Sequence, residues 1–120
     1  MRNDFDETLR KYAIIQHATI HAGEHAIAVM EETSTRALAA SAADELLNIS
    51  GISSSYVIYP DGDQVIVSAR SIGKMNVQVI LEPLGGGGNP ATAGAQIKGK
   101  TPYEVAALLR KEIDQFIQSY

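Results

Sequence analysis

Four consecutive glycines, Gly85 to Gly88, form the stretch of this chain with the clearest capacity for chemistry. Glycine adopts positive φ without steric cost, and a run of free main-chain N–H groups can form a concave site for an anion such as phosphate. The same composition also suits a flexible linker. Apolar residues flank the run on both sides, from Val77 to Leu84 and from Ala93 to Ile97. A linker normally has polar surroundings, so we predict a shaped loop.

An arginine among hydroxyl residues, Arg70 between Ser68 and Ser71, lies where a predicted strand ends. Its guanidinium group presents a planar fork of donors that matches a phosphate, and the hydroxyls add further donors. Without the glycines, a solvated charge at the end of a strand would be the favoured interpretation. With both features present we predict a shared anion site, because strand ends and glycine loops converge in α/β folds.

The segment from Gly94 to Thr101 matches the Walker A pattern of nucleotide-hydrolysing P-loops. Its middle, Ala95 to Ile97, belongs to a predicted strand, and Thr101 is explained as a helix cap. No hydrophobic run ending in Asp supplies a Walker B partner. We therefore interpret the match as accidental.

Three histidines, His17, His21 and His25, are spaced by four residues. On one helix they would share a face and could bind a metal. The pattern changes near Gly23, which argues against a continuous helix, so we predict surface histidines. No carboxylate pair or Ser/His/Asp order indicates acid–base or nucleophilic work, and we predict no catalytic residue in this chain.

Hydrophobic periodicity and turn residues predict the elements that position these groups. Residues 76–84 fit both a helix and a strand, and we favour a helix because it gives one apolar stripe. The other predicted elements are a helix over 3–22, a strand over 25–30, a helix capped by Ser34 or Thr35 that ends near Gly51, a hairpin of strands 55–59 and 64–68, a strand over 93–97, and a final helix that begins with the capping box Thr101-Pro102-Tyr103-Glu104.

The bulk composition fits one globular domain of 120 residues. We predict a single α/β (α+β) domain, with a small mixed sheet of about four to five strands and helices packed on it. The absence of cysteine excludes disulfides and thiolate zinc sites. A formal net charge of −4 argues against broad binding to duplex nucleic acid, whereas a small anionic ligand held by one or two cations fits.

Three segments together resemble the DHH-associated domain, the C-terminal substrate-binding half of DHH-family phosphoesterases. They are Ser68 to Ser71, Asn76 to Ile80, and Leu84 with the glycines as far as Ala95. The sequence resembles most the bacterial cyclic-di-AMP phosphodiesterases of the membrane-anchored type, and then the oligoribonuclease relatives. The resemblance spans residues 25–118. We therefore expect a DHH-associated nucleotide-binding domain over residues 25–120 and a helical or linker segment over residues 1–24.

The resemblance implies a nucleotide- and phosphodiester-binding domain that is non-catalytic in isolation. Its partners would be a cyclic dinucleotide or short oligonucleotide and a separate DHH catalytic domain, which holds manganese; no cofactor is expected in this chain. By analogy the arginine contacts a phosphate, and the glycine main chain approaches the phosphodiester. The implied substrate-binding residues are Ser68, Arg70, Ser71, Asn76, Gly85, Gly86, Gly87, Gly88 and Asn89.

Two departures from the family pattern shape the expectation. The Asp-His-His motif is absent, so we expect one cytoplasmic domain of a larger bacterial protein, whose remainder includes a membrane anchor. The family usually places histidine directly after the glycines, whereas this chain has Asn89, which cannot carry a positive charge. The alternative is a module that senses nucleotide or single-stranded nucleic acid without turnover. Self-association into a homodimer is a third hypothesis, because a half-enzyme exposes its interdomain surface.

Overall fold

The computed structural model describes residues 4–119, which form a mixed sheet with helices on both faces. The predicted α/β domain is confirmed. The elements, in chain order, are α1 (Phe5–Gln16), β1 (Ala18–His21), β2 (His25–Val29), α2 (Arg36–Leu47), β3 (Ser54–Asp61), β4 (Gln64–Ser71), α3 (Val77–Leu81), a 3-10 turn (Glu82–Leu84), β5 (Gly87–Asn89), β6 (Thr92–Lys98) and α4 (Pro102–Ser119).

The six strands of the described residues lie in the order β1-β2-β3-β4-β6-β5. Only β2 and β3 are parallel, and α2 forms the crossover between them, as a parallel pair requires. The remaining neighbours are antiparallel. The sheet therefore has two strands more than the four segments that the sequence predicts: β1 and the short edge strand β5.

The predicted helix over residues 3–22 is wrong beyond Gln16, and residue 3 lies outside the described part of the chain. Residues 18–21 form β1, which pairs with β2 from Ala18 opposite Ala28 to His21 opposite His25. The two strands are joined by a tight turn in which Ala22 and Gly23 both have positive φ, 50° and 79°. Two positive φ values match the twist of an antiparallel hairpin. The turn therefore allows residues 18–21 to pair with β2 as a strand, where we predicted the end of a helix.

The domain boundary that we expect between residues 24 and 25 falls inside this structure, just before β2. It stays a prediction. β1 before the boundary and β2 after it belong to one hairpin.

The predicted helix caps at the start of α2 and α4 are confirmed. Thr35 is the cap of α2 and accepts from the N–H of Leu38 at 3.1 Å. Thr101 and Glu104 form the predicted reciprocal capping box, with bonds of 3.2 Å and 2.8 Å. The helix favoured over residues 76–84 is confirmed for residues 77–84, as α3 and the 3-10 turn that follows it, with Asn76 as the extended cap. Ala95 to Ile97 lie within β6, so the segment that matches Walker A does not form a P-loop.

Each face of the sheet has its own core. On one face α1 and α2 bury Ile14, Leu46, Val57 and Ile66 among others, and on the other face α3 and α4 bury a larger apolar cluster. Because α2 packs on β3 and β4, it leaves the neighbouring part of its own face open. Along β6, Ala93 and Ala95 are buried on the α4 side, while Thr92, Gly94 and Gln96 on the α2 side are exposed.

Within residues 4–119, no helix is long and apolar enough to cross a membrane.

The three histidines do not share a helix: His17 ends α1, His21 lies in β1 and His25 in β2. The prediction that all three are surface residues is wrong for His25, which is buried with its Nδ1 2.8 Å from the Ser54 hydroxyl. It lies opposite His21, whose Nε2 is 2.7 Å from Asp114 of α4. Among the described residues, no group of three or more His, Asp or Glu side chains could hold a metal ion.

We expect the stability of the domain to fall as the pH drops below about 6.5, the ordinary pKa of histidine. Burial, and to a smaller extent the nearby His21, lowers the pKa of His25, while Glu24 and Asp114 oppose the shift. The native state therefore binds fewer protons than the unfolded state between the lowered pKa and 6.5, and the free energy of unfolding decreases as the pH falls through that window. Urea titrations between about pH 7.5 and pH 5.5 measure this slope.

His25→Gln is expected to flatten that slope, whereas His17→Gln, at an exposed position, is expected to retain it. Equal slopes in the two variants would show that another group is responsible.

Candidate functional site

The open part of the sheet face beside α2 forms a groove with a volume of about 560 Å³. We use "the groove" for this space. Its wall is α2, its floor is β3, β4 and β6, and its far rim is the glycine segment before and within β5. The residues that line it are Arg36, Ala40, Tyr59, Ile66, Val67, Ser68, Arg70, Gly85, Gly86, Gly87, Gly94, Ala95 and Gln96.

Arg70 is fixed at one end of the groove. Its Nε donates to Oδ1 of Asp44 on α2 at 3.1 Å, and its Nη1 donates to the carbonyl oxygen of Ala69 at 2.8 Å. A guanidinium group has five N–H donors; these two bonds use two of the five and leave three. The side chain is therefore oriented before any ligand arrives, and it retains enough donors for an oxyanion.

Two of the four glycines have their main-chain donors occupied. The N–H of Gly85 donates to the carbonyl of Glu82, and the N–H of Gly86 donates to the carbonyl of Leu81, both at 3.0 Å. The predicted cradle of four free N–H groups is therefore wrong for these two residues. Gly87 and Gly88 belong to the edge strand β5, where alternate residues direct their main-chain groups away from the neighbouring strand.

The glycines also differ in why a larger residue would not fit. Gly85 and Gly88 have positive φ, 84° and 148°, whereas Gly86 and Gly87 do not. A β-carbon at Gly86 would lie 2.5 Å from the carbonyl oxygen of Gly94, and one at Gly88 would overlap the carbonyl of Thr92. A β-carbon at Gly87 would meet nothing within 4 Å. Gly86 and Gly88 thus form a close-packed seam against β6. Gly85 is excluded from carrying a side chain only by its positive φ, and Gly87 is the open point of the run.

The structure brings together five of the nine predicted site residues: Ser68, Arg70, Gly85, Gly86 and Gly87 all line the groove. Ser68 and Arg70 alternate along β4, so both face α2. Their binding roles stay predictions.

The other four predicted residues lie outside the groove lining. Ser71 points to the opposite face, where its buried hydroxyl is 2.8 Å from the carbonyl of Met75 and 2.9 Å from that of Pro90. Gly88 faces β6, and Oδ1 of Asn89 accepts from the N–H groups of Ala91 and Thr92. These contacts hold the turn between β5 and β6 and thereby place the glycine segment.

Asn76 is the cap of α3, and its Oδ1 accepts from the N–H of Val79 at 3.1 Å. We expect Asn76→Ala to lower the free energy of unfolding by about 1 kcal/mol, because an orphan helix donor loses its partner. Asn76→Asp, which keeps the acceptor, is expected to stay near the wild-type stability. Chemical denaturation measures both, and equal losses in the two variants would contradict a capping role.

Sequence reasoning missed three polar side chains of the groove: Arg36, Tyr59 and Gln96. Arg36 is the first residue of α2 and forms no salt bridge with the other residues of the described chain. Burial raises the pKa of Tyr59, and the positive charge of Arg36 acts against that shift. Both residues line the groove. Gln96 could have been found from alternation along β6, which places it on the same face as Gly94.

Comparison with known proteins places the chain in a family. The family model of the DHHA1 domain matches residues 18–119. The cyclic-di-AMP phosphodiesterase GdpP of Geobacillus thermodenitrificans is 37% identical over 123 residues, which covers 98% of this chain and 18% of that protein. The cyclic-di-AMP phosphodiesterase PdeA of Listeria monocytogenes is 35% identical over 119 residues, which covers 97% of this chain and 18% of that protein. The chain therefore spans less than a fifth of the length of these curated relatives.

The fold also occurs in a solved structure of low sequence identity. An exopolyphosphatase-related protein from Bacteroides fragilis superposes with a TM-score of 0.85 at 13% identity, over 96% of this chain and 36% of that chain. At this identity the likeness shows the fold alone.

Proposed function

Because the chain belongs to the DHHA1 domain family, we propose that it is the nucleotide-binding domain of a larger phosphodiesterase acting on cyclic-di-AMP or a short oligonucleotide. In this proposal the groove holds the phosphodiester, and the bond is cleaved on a separate DHH catalytic domain. The similarity of nearly the whole chain to cyclic-di-AMP phosphodiesterases supports the choice of substrate class.

The observation that carries the proposal is the convergence of Arg70, Arg36 and the glycine segment on one open groove. The chain has a formal net charge of −4, whereas the groove is lined by the guanidinium groups of Arg36 and Arg70. Asp44 offsets the charge of Arg70, and Arg36 leaves a local excess of positive charge. A groove with such a charge attracts a phosphodiester and strengthens the field at its position.

The arrangement suits binding and orientation of a substrate. Asp44 and the Ala69 carbonyl already hold Arg70, so less side-chain freedom is lost when a phosphate binds. Gly86 packs closely against β6 and has no side chain, so a ligand at the rim of the groove can lie against the main chain. The domain would thus supply positioning and charge neutralisation to a reaction whose other parts lie outside it.

The resemblance implies manganese in the separate catalytic domain and none in this chain. Residues 4–119 contain no group of three or more His, Asp or Glu side chains able to hold a metal ion. We therefore propose that manganese is held by the DHH catalytic domain, and we assign no step of the reaction to a metal here.

Calorimetric titration of the chain with cyclic-di-AMP and with the linear dinucleotide pApA tests this function. We expect saturable binding that weakens as salt is raised, because the contact is to a charged phosphodiester. Adenosine, which lacks the phosphate, is the matched control ligand and is expected to bind more weakly. Equal affinity for adenosine and pApA, or no binding of either dinucleotide at millimolar concentration, would contradict the proposal.

The alternative, a module that senses nucleotide without turnover, has support from Asn89. Its Oδ1 is engaged with two main-chain N–H groups of the β5–β6 turn, which is a structural use of the position where the family usually has histidine. Hydrolysis of cyclic-di-AMP by the intact protein distinguishes the two functions: turnover supports the phosphodiesterase, and binding without turnover supports the sensor.

A further inference from the structure

Helix α1 presents apolar side chains on the side that faces away from the sheet. Phe5, Leu9 and Tyr12 are 73%, 52% and 47% exposed, and their spacing of four and three residues places them on one face of the helix. We call these three residues the α1 stripe. Ile14, the buried residue of α1, lies on the opposite face and packs in the core that α1 shares with α2. The stripe therefore stays largely uncovered within residues 4–119.

The helix that carries the stripe is fixed to the rest of the domain. Asp4 caps α1 and accepts from the N–H of Asp6 at 2.9 Å. Nζ of Lys11 lies 3.9 Å from Oε2 of Glu45 on α2, and Ile14 anchors α1 in the core. A partner that covers the stripe therefore gains the burial of three large side chains without the cost of ordering the helix.

The spacing of the stripe suits a second helix as its partner. Phe5, Leu9, Tyr12 and Gln16 follow one another at intervals of four, three and four residues, the alternation by which two helices pack along their length. Beside the stripe, α1 and α2 enclose a cleft of about 210 Å³, which is lined by Glu7, Thr8, Lys11, Thr35, Ala37, Leu38 and Ser41. Exposed aromatic anchors next to a recess make this face complementary to itself, as a two-fold symmetric contact requires.

The charges of α1 favour one direction for such a helix pair. Asp4, Asp6 and Glu7 lie at the start of the helix, whereas its last turn has no carboxylate and is followed by His17. In a parallel pair the two acidic starts would meet and repel each other. An antiparallel pair places each acidic start beside the last turn of the partner, and the two helix dipoles then point in opposite directions, which is favourable.

We infer that the α1 stripe is the contact between two copies of this chain, which pair through antiparallel α1 helices about a two-fold axis. This inference goes beyond the proposed function and does not depend on it. A helix of 12 residues is about 18 Å long, so the contact is smaller than the roughly 1,000 Å² of stable complexes. The dimer is therefore weak and forms as the concentration of the chain rises.

Sedimentation velocity of the chain, from micromolar to millimolar concentration, tests the dimer. The wild-type chain is expected to change from monomer to dimer over this range. Leu9→Glu is expected to raise the dissociation constant by about tenfold or more, because a carboxylate replaces an apolar side chain at the centre of the contact. Ile117→Glu adds the same charge at an apolar residue of α4 that is 46% exposed, and as the matched control it is expected to associate like wild type.

Two results of this experiment would overturn the inference. One is a wild-type chain that stays monomeric at millimolar concentration, in which case another part of a longer protein would be the occupant of the stripe. The other is equal association of wild type and Leu9→Glu, which would place the dimer contact elsewhere on the domain.

Disulfide cross-linking tests the direction of the helix pair, and the chain has no cysteine of its own to interfere. The double variant Phe5→Cys/Gln16→Cys separates its thiols by about 16 Å along one helix, too far for a bond within one chain. Antiparallel helices are expected to give a covalent dimer of this variant on mild oxidation, whereas Phe5→Cys alone is expected to give little. Efficient cross-linking of Phe5→Cys alone, or equal yields from the two variants, would contradict the antiparallel pair.

Discussion

Replacing Arg70 with alanine is expected to weaken binding of cyclic-di-AMP and pApA by about 1.5–3 kcal/mol, the range of a hydrogen bond to a charged group. The wild-type side chain is held by Asp44 and by the Ala69 carbonyl, and it still has unused donors that face the groove. Alanine removes both the charge and the donors from the position where we place the phosphodiester. Calorimetric titration of the variant measures the loss.

Two controls make this result specific. Arg110→Ala removes the same charge from α4, on the opposite face of the sheet, and is expected to leave the affinity within about 0.5 kcal/mol of wild type because distant surface charges contribute little. The second control is the stability of the Arg70→Ala chain. The carboxylate of Asp44 is largely exposed, so we expect loss of its ion pair with Arg70 to change the free energy of unfolding by less than about 1 kcal/mol. Unchanged affinity in a folded Arg70→Ala chain would remove this residue from the site.

The second large effect is expected in the glycine seam. Gly86→Ala should lower the free energy of unfolding by about 2–3 kcal/mol, because its β-carbon would be forced against the Gly94 carbonyl and the side chain of Ala95. Gly87→Ala introduces the same methyl group one residue further along, where nothing lies within 4 Å. We expect it to change stability by less than about 1 kcal/mol.

Urea denaturation of the two variants provides the comparison, with Gly88→Ala as a third case. Gly88 combines a positive φ with a close approach to Thr92 and Ala93, so its variant should resemble Gly86→Ala. If all three substitutions were tolerated equally, the glycines would form a flexible loop and not a packed seam.

Local signals explain how much of the fold the sequence predicts. The capping box at Thr101 and Glu104 and the hairpin of β3 and β4 depend on residues close in the chain, and both form as predicted. The strand at residues 18–21 does not follow from local pattern, because it exists only through pairing with β2 after the turn at Ala22 and Gly23. Tertiary pairing there overrides a helical periodicity.

The candidate site likewise combines residues that the sequence indicates with residues that only the tertiary structure brings in. Arg70 and the glycines are noticeable in the sequence because their types suit an anion, and the fold does bring most of them to one groove. Arg36 belongs to that groove only because α2 packs across β3 and β4, which no spacing rule reveals, whereas alternation along β6 could have indicated Gln96. The occupied N–H groups of Gly85 and Gly86 could not be foreseen either, since their partners depend on how the 3-10 turn ends.

Backbone amide NMR spectra of the chain, recorded during titration with pApA, test most directly whether the groove is the nucleotide site. We predict that the shifts concentrate on Ser68 to Arg70, Gly85 to Gly87 and Gln96, all on the α2 side of the sheet. The amides of α4 cover the opposite face and should move least. Shifts centred on α4, or none at millimolar pApA, would contradict the assignment of the groove as the nucleotide-binding site.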